Sequence, residues 1–272
     1  MTSDDRVLLI TGASSGIGWA TARSAAEKGY RLVLAARSAD RLQALADELG
    51  GEDQALAVEC DVTEFDAQQS MVKLALEHFG HLDVVFANAG FGAPRGFLES
   101  SVEHWRSMVL TNVLGVALTV RATLPVVRES GGHFVLTGSV AGRRALPGSL
   151  YSATKFAVTA IGEGLRQELD GSGVRVTLIE PGMVDTPFFD RPVSDALEPE
   201  DVSRAVMYAL DQPPHVDAAA RVCRLELGAS LIIELGRGQR QAAMPFDQAK
   251  KVEVAGEKGA DPFESRGGSV IL

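Results

Sequence analysis

The sequence predicts a single doubly wound α/β domain, a parallel sheet of seven strands with helices on both faces. Three observations predict it. Short apolar runs alternate with helical patterns along most of the chain, as βαβ units require. The turns between them are short. A glycine-rich turn, TGASSGIG from Thr11 to Gly18, joins the first strand to the first helix.

Each element has its own signal. RVLLIT (6–11) is an apolar run ending in glycine, the pattern of a buried parallel strand. GIGWATARSAAEKG has helical spacing and stops at Gly29. RLVLAA (31–36) is a second strand, and SADRLQALADELGG an amphipathic helix capped by Ser38 and ended by Gly50. QALAVECDV is a third strand; the helix after it takes Thr63 as cap and carries Asp66 in its first turn. LDVVFANAG is a fourth strand, followed by one long, mostly apolar helix, HWRSMVLTNVLGVALTVRATLPVVRESGG. HFVLTGS, VRVTLIEPG and ARVCRLEL supply strands five to seven. Between them lie the helices YSATKFAVTAIGEGLRQELD and EPEDVSRAVMYALDQP. This doubly wound domain runs to about residue 227. In the extension, 228–272, ASLIIELG is apolar enough to dock, whereas KKVEVAGEKGADPFESRGGS reads as loop or disorder.

The 272 residues suffice for a large buried core, and 46% hydrophobic with 23% charged residues is an ordinary globular composition. A net charge of −10 argues against nucleic-acid or anionic-membrane partners. Cys60 and Cys223 lie in apolar strand-like runs, read as buried small hydrophobes with no metal or redox motif around them. The first residues are acidic where a signal peptide needs positive charge, and no apolar run approaches membrane-spanning length. The expected location is cytoplasmic.

In the glycine-rich turn, Gly12 allows a tight bend, Gly16 close approach of backbone to a pyrophosphate, and Gly18 packing of helix on sheet. Ser14, Ser15 and Ile17 complete it, and the helix N-terminus offers free N–H groups to phosphates. The turn therefore reads as a dinucleotide-binding turn of a Rossmann-type fold, the alternative being a glycine-rich turn that holds no ligand. The end of the second strand distinguishes the two nicotinamide dinucleotides: an acid accepts from a ribose 2′-hydroxyl, whereas an Arg accommodates a 2′-phosphate. Here Arg37 and Ser38 stand there, and the first acid, Asp40, falls inside the next helix. NADP(H) is therefore expected over NAD(H).

YSATK places Tyr151 and Lys155 one helical turn apart on one face. A Lys⁺ beside a phenol favours its ionisation. Alone, the same five residues read as a helix start with a half-buried Tyr and a solvated Lys.

Taken together, TGASSGIG, CDVT (60–63), NAG (88–90), Asn112, Ser139, YSATK and PGMVDT (181–186) resemble the short-chain dehydrogenase/reductase family, over about residues 6 to 227 and in the family's order. The resemblance implies a hydride transfer between NADP(H) and a small-molecule carbonyl or alcohol substrate, in a ketone or aldehyde reductase or alcohol dehydrogenase. Asp61 and Val62 are then implied to contact the adenine, and Asn88, Ala89 and Gly90 to line the cofactor floor. Pro181 and Gly182 set a loop in which Val184 and Thr186 hold the carboxamide. Tyr151 is the implied general acid/base, with its pKa lowered by Lys155, which also bonds the ribose. Ser139 orients the substrate oxygen, and Asn112 holds a water linking Lys155 to solvent. Asp61 may be read instead as a strand-end residue, Asn88 as a turn residue, and Asn112 as a buried amide bonding a neighbouring carbonyl.

The loop from Ser139 to Tyr151 is one residue shorter than is usual in the family, which keeps Ser149 and Ser152 as alternatives to Ser139. Arg143 and Arg144 read either as contacts for an acidic substrate or as solvated loop charges. Phe188 and Phe189 suggest an apolar wall in the substrate lid. The segment 198–217 resembles a subgroup acting on small ketones, aldehydes and 3-hydroxy acids; a larger substrate (sterol, polyketide or acyl thioester) and a non-catalytic NADP sensor are the competing readings. The apolar helices carrying Asn112 and Tyr151 predict a homo-oligomer, a tetramer or dimer.

Overall fold

The computed structural model describes residues 6–189, 194–213 and 216, and the backbone of Ala220–Cys223. The chain divides into units 1–238 and 239–272, and the description concerns the first. The expected extension 228–272, with the side chain of Cys223, lies outside the described residues.

The strands are β1 (Val7–Thr11), β2 (Arg31–Ala36), β3 (Ala55–Glu59), β4 (Val84–Ala87), β5 (His133–Thr137), β6 (Arg175–Pro181) and β7 (Ala220–Cys223). They form one parallel sheet in the order β3-β2-β1-β4-β5-β6-β7. The order reverses between β1 and β4, so a crevice opens beyond the carboxyl ends of these two strands. The strand interiors are apolar on both faces because helices cover both. Leu8, Ile10, Leu32 and Leu34 meet Ala22 and Ala25 of α1 (Gly16–Glu27), Leu42 and Leu45 of α2 (Ala39–Glu48), and Val202 and Val206 of α7 (Pro199–Leu210). On the other face Leu9, Val33, Phe134 and Leu136 meet Met71 and Ala75 of α3 (Phe65–Phe79), Val120 and Val127 of α5 (Val116–Ser130), and Val158 and Leu165 of α6 (Leu150–Glu168). Each of these side chains larger than Ala contributes about 1.5–3 kcal/mol through burial.

Two expected caps differ. Ser38 sits at the N-cap of α2 without a side-chain hydrogen bond to the helix. Thr63 precedes the cap, which is Glu64; the Asp61 carboxylate accepts from the Thr63 amide (2.9 Å) and hydroxyl (2.8 Å). Asp61 thus organises the bend from β3 into α3, and Thr63 is its partner.

The long helix is also not uniform. α4 (Val102–Val109) runs into a π-helical segment, Leu110–Gly115, before continuing as α5. The wider turn leaves the Gly115 carbonyl to accept from Gln68 Nε2 (3.2 Å) and the Thr119 hydroxyl (2.8 Å). Contrary to the expectation from the sequence, Val102–Ser130, at 29 residues, is long and apolar enough to cross a membrane by length and composition. In this fold Val116, Thr119, Val120, Thr123 and Val127 are buried against the protein itself.

Candidate active site

A cavity of about 410 Å³ lies at the carboxyl ends of the strands, where the sheet order reverses. It is lined by the β1–α1 turn, Arg37 and Ser38 after β2, Asp61 and Val62 after β3, Asn88–Gly90 after β4, Ser139 after β5, Tyr151 and Lys155 on α6, and Pro181, Gly182, Val184 and Thr186 after β6. Among the expected residues, Gly18 and Asn112 stand just behind this lining.

The glycines hold the turn by close approach. Gly12 has φ +69°, and a Cβ there would lie 2.9 Å from the Ala89 Cα. Gly18 is tighter: its Cβ would fall 2.3 Å from the Gly12 carbonyl oxygen. The third glycine therefore closes the turn on itself and does more than pack helix on sheet. Gly16, φ +54°, faces Thr186. The Thr11 hydroxyl accepts from the amides of Asn88 (3.0 Å) and Ala89 (3.1 Å). Asn88 returns a bond from Nδ2 to the Thr11 carbonyl (3.1 Å) and accepts from the Thr137 hydroxyl (3.1 Å). Asn88 thus ties the ends of β1, β4 and β5 while bordering the cavity.

Tyr151 and Lys155 share a face of α6. Ser149 caps this helix, accepting from the Ser152 amide (3.2 Å). Lys155 is 5% exposed and donates to the Thr137 carbonyl (2.8 Å). Burial draws its ammonium down to about 8. Tyr151 moves oppositely to the expectation: burial pushes the phenol up to about 12, and a hydrogen bond with the Ser139 hydroxyl only partly offsets this. The reason is geometric. Lys155 Nζ stands 5.7 Å from the Tyr151 ring centroid, turned toward Thr137.

Of the three candidate serines, Ser139 is the one that borders the cavity beside Tyr151 and counters the upward shift of its phenol. It is buried, accepts from the Ala141 amide (3.1 Å) and donates to the Pro181 carbonyl (3.4 Å). Ser152 instead accepts from the Leu146 amide (3.0 Å).

Asn112 is a buried amide bonded on three sides. Its amide donates to the Phe91 carbonyl (2.8 Å) and to the Thr154 hydroxyl (3.1 Å), and its Oδ1 accepts from the Phe91 amide (3.0 Å). It pins the loop after β4 to α6. The π-helical segment re-aims it there, and hydrophobic periodicity gives no sign of that.

Arg143 is a paired loop charge, held by two carboxylates. Its Nε donates to Glu180 Oε1 (2.7 Å) and its Nη1 to Glu163 Oε1 (3.2 Å). Glu180 is 0% exposed, and burial pushes its carboxyl up despite that guanidinium. Phe188 lies edge-on to Tyr151 (5.5 Å between centroids) and to Phe189 (5.1 Å). Thr137, Thr154 and Glu180 were not legible as site residues; the only signal is charge or hydroxyl at the end of a strand or beside a site motif.

Residues 6–196 match the short chain dehydrogenase family. An uncharacterized oxidoreductase of Staphylococcus aureus (strain MRSA252) is 40% identical over 218 residues, covering 78% of this chain and 94% of that protein. Among solved structures, an alcohol dehydrogenase from the archaeon Thermococcus sibiricus, complexed with 5-hydroxy-NADP, is 34% identical with a TM-score of 0.76, covering 83% of this chain and 98% of that one. A 3-ketoacyl-(acyl-carrier-protein) reductase from Brucella melitensis, complexed with NADH, is 28% identical with the same TM-score of 0.76, covering 81% and 97%. This chain belongs to the short chain dehydrogenase family of oxidoreductases.

Proposed function

We propose that the protein is an NADP(H)-dependent oxidoreductase acting between carbonyl compounds and alcohols, with Tyr151 as general acid/base. The observation that carries this is the meeting of the Gly12–Gly18 turn with Ser139, Tyr151 and Lys155 around one cavity. A dinucleotide fits the residues present. A Cβ at Gly12 would collide with the loop after β4, so the turn keeps its backbone bare beside the free amides at the start of α1. Arg37, exposed at the end of β2, supports a 2′-phosphate and hence NADP(H) over NAD(H). Asp61 and Val62 would border the adenine, Asn88–Gly90 the floor, and Val184 and Thr186 the carboxamide.

When bound, the nicotinamide supplies the hydride for reduction and accepts it for oxidation. The chain's own part is orientation and a proton. Ser139 and Tyr151 donate hydrogen bonds to the substrate oxygen, and these strengthen as negative charge grows there in the transition state. Tyr151 then gives its proton to the alkoxide oxygen. A phenol held protonated by burial carries the proton that this step transfers. Lys155 keeps two further N–H groups for ribose hydroxyls besides its bond to Thr137. Asn112 acts by holding the Phe91 loop against α6.

Leu110, Leu114 and Phe156 are exposed apolar residues on the helices bearing Asn112 and Tyr151, which supports assembly into a dimer or tetramer. The test is to follow NADPH absorbance with purified protein against a panel of ketones and aldehydes. Turnover that depends on Tyr151 supports the reading. Tight NADPH binding with no turnover across the panel would favour a dinucleotide sensor.

A further inference from the structure

Behind Ser139 lies a polar network that the proposed chemistry does not use. Glu180 is the penultimate residue of β6 and is fully buried. Its Oε1 accepts from Arg143 Nε (2.7 Å) and from the Thr159 hydroxyl (3.4 Å), while Oε2 is buried without a partner. Burying a carboxylate is costly unless it is paired and hydrogen-bonded, so Glu180 depends on its bond with Arg143.

Its three neighbours each lead to the site. Arg143 follows the single turn Val140–Gly142, which Ser139 caps. Thr159 lies on the Tyr151–Lys155 face of α6, one turn beyond Lys155. Pro181, the next residue after Glu180, offers the carbonyl to which Ser139 donates. The fit is close: a Cβ at Gly142 would lie 2.6 Å from the Lys155 carbonyl oxygen, and one at Gly138 would lie 2.9 Å from the Glu180 Cγ. Arg143 also reaches Glu163 on α6, one turn beyond Thr159, so its guanidinium joins the Ser139 turn, β6 and α6.

We propose that Arg143 and Glu180 form a clamp that positions Ser139 against Tyr151. Both are positioning residues; neither borders the cavity. In its effect on catalysis the inference rests on the function proposed above, and a readout independent of turnover keeps the two separable.

The experiment compares wild type, Arg143→Ala, Arg143→Lys, Ser139→Ala and, as a control for charge, Arg144→Ala. Folding is checked by thermal unfolding, and NADPH affinity by fluorescence. With tyrosine labelled at Cζ, the Tyr151 NMR resonance reports its bond with Ser139. Arg143→Ala is expected to move that resonance toward its Ser139→Ala position and to lower kcat by about ten- to a hundredfold, with NADPH affinity unchanged. Arg143→Lys, which keeps the charge but loses the forked geometry, should recover part of both effects. Arg144→Ala should change neither. A Tyr151 resonance unmoved in folded Arg143→Ala would overturn the clamp whether or not the protein turns over any substrate. So would a kinetic loss confined to carboxylate-bearing substrates, since that would make Arg143 a substrate contact. Absence of turnover in wild type, with the resonance shift intact, would count against the function and leave the clamp supported.

Discussion

Lys155 Nζ lies 5.7 Å from the centroid of the Tyr151 ring and donates to the Thr137 carbonyl. The pair is close in space, yet its two members are perturbed separately, each by its own burial: the phenol is raised to about 12 and the ammonium lowered to about 8. Several outcomes depend on that arrangement.

The first concerns stability. Lys155 ionises near 8 in the fold against 10.5 in the unfolded chain, so between those values the unfolded state holds more protons, and stability rises with pH. Below about 8 the buried ammonium costs on the order of 3 kcal/mol. Lys155→Met is therefore expected to exceed wild type in stability at pH 8, with the gap narrowing toward pH 10. Above pH 10 the raised phenol of Tyr151 reverses the slope, because the unfolded state then loses its proton first. Urea unfolding of both proteins across pH 8 to 10 measures this; a constant gap would contradict the burial account.

Cofactor choice is the second. Removing the guanidinium in Arg37→Ala should lower kcat/KM for NADPH by about tenfold, the size of one charge-assisted hydrogen bond, and leave NADH unaffected. An NADPH preference that survives the substitution would remove Arg37 from the assignment.

The third is a matter of space. In Gly18→Ala the new methyl would stand 2.3 Å from the Gly12 carbonyl, and backbone cannot swing away as a side-chain tip does. The turn must open, weakening NADPH binding by roughly tenfold or more. Titration by fluorescence checks it, and wild-type affinity would show that the turn is not the phosphate cradle.

Phe188 gives the fourth. Its ring lies edge-on to Tyr151, and a Cβ at Gly92 would come within 2.5 Å of its Cζ. Phe188→Ala should widen the mouth and raise kcat/KM for bulky ketones relative to small ones. An unchanged ranking across a graded ketone series would show that this ring does not limit the substrate.

The parallel strands, the glycine turn and the Tyr–Lys spacing were legible because each leaves a local periodic or steric mark. Apolar runs mark parallel strands, and three glycines mark a turn whose atoms are too crowded for Cβ. What was not legible depends on tertiary placement. Asn112 looked like an odd amide in an apolar helix; only the π-helical segment shows that it faces Phe91 and Thr154. Arg143 and Glu180 lie 37 residues apart, and no spacing rule joins a loop cation to a strand-end acid. The Tyr151 pKa failed for the same reason. Helical spacing fixes which residues share a face, while the direction of the Lys155 ammonium is set by Thr137 on a different element.

Substitution of one oxygen tests the central claim most directly. Tyr151→Phe keeps the ring, its packing on Phe188 and the cavity wall, and removes only the proton donor. With NADPH and a ketone that wild type reduces, the variant should bind NADPH as wild type does and lose turnover by at least about a thousandfold. Reduction within tenfold of wild type would contradict Tyr151 as the general acid.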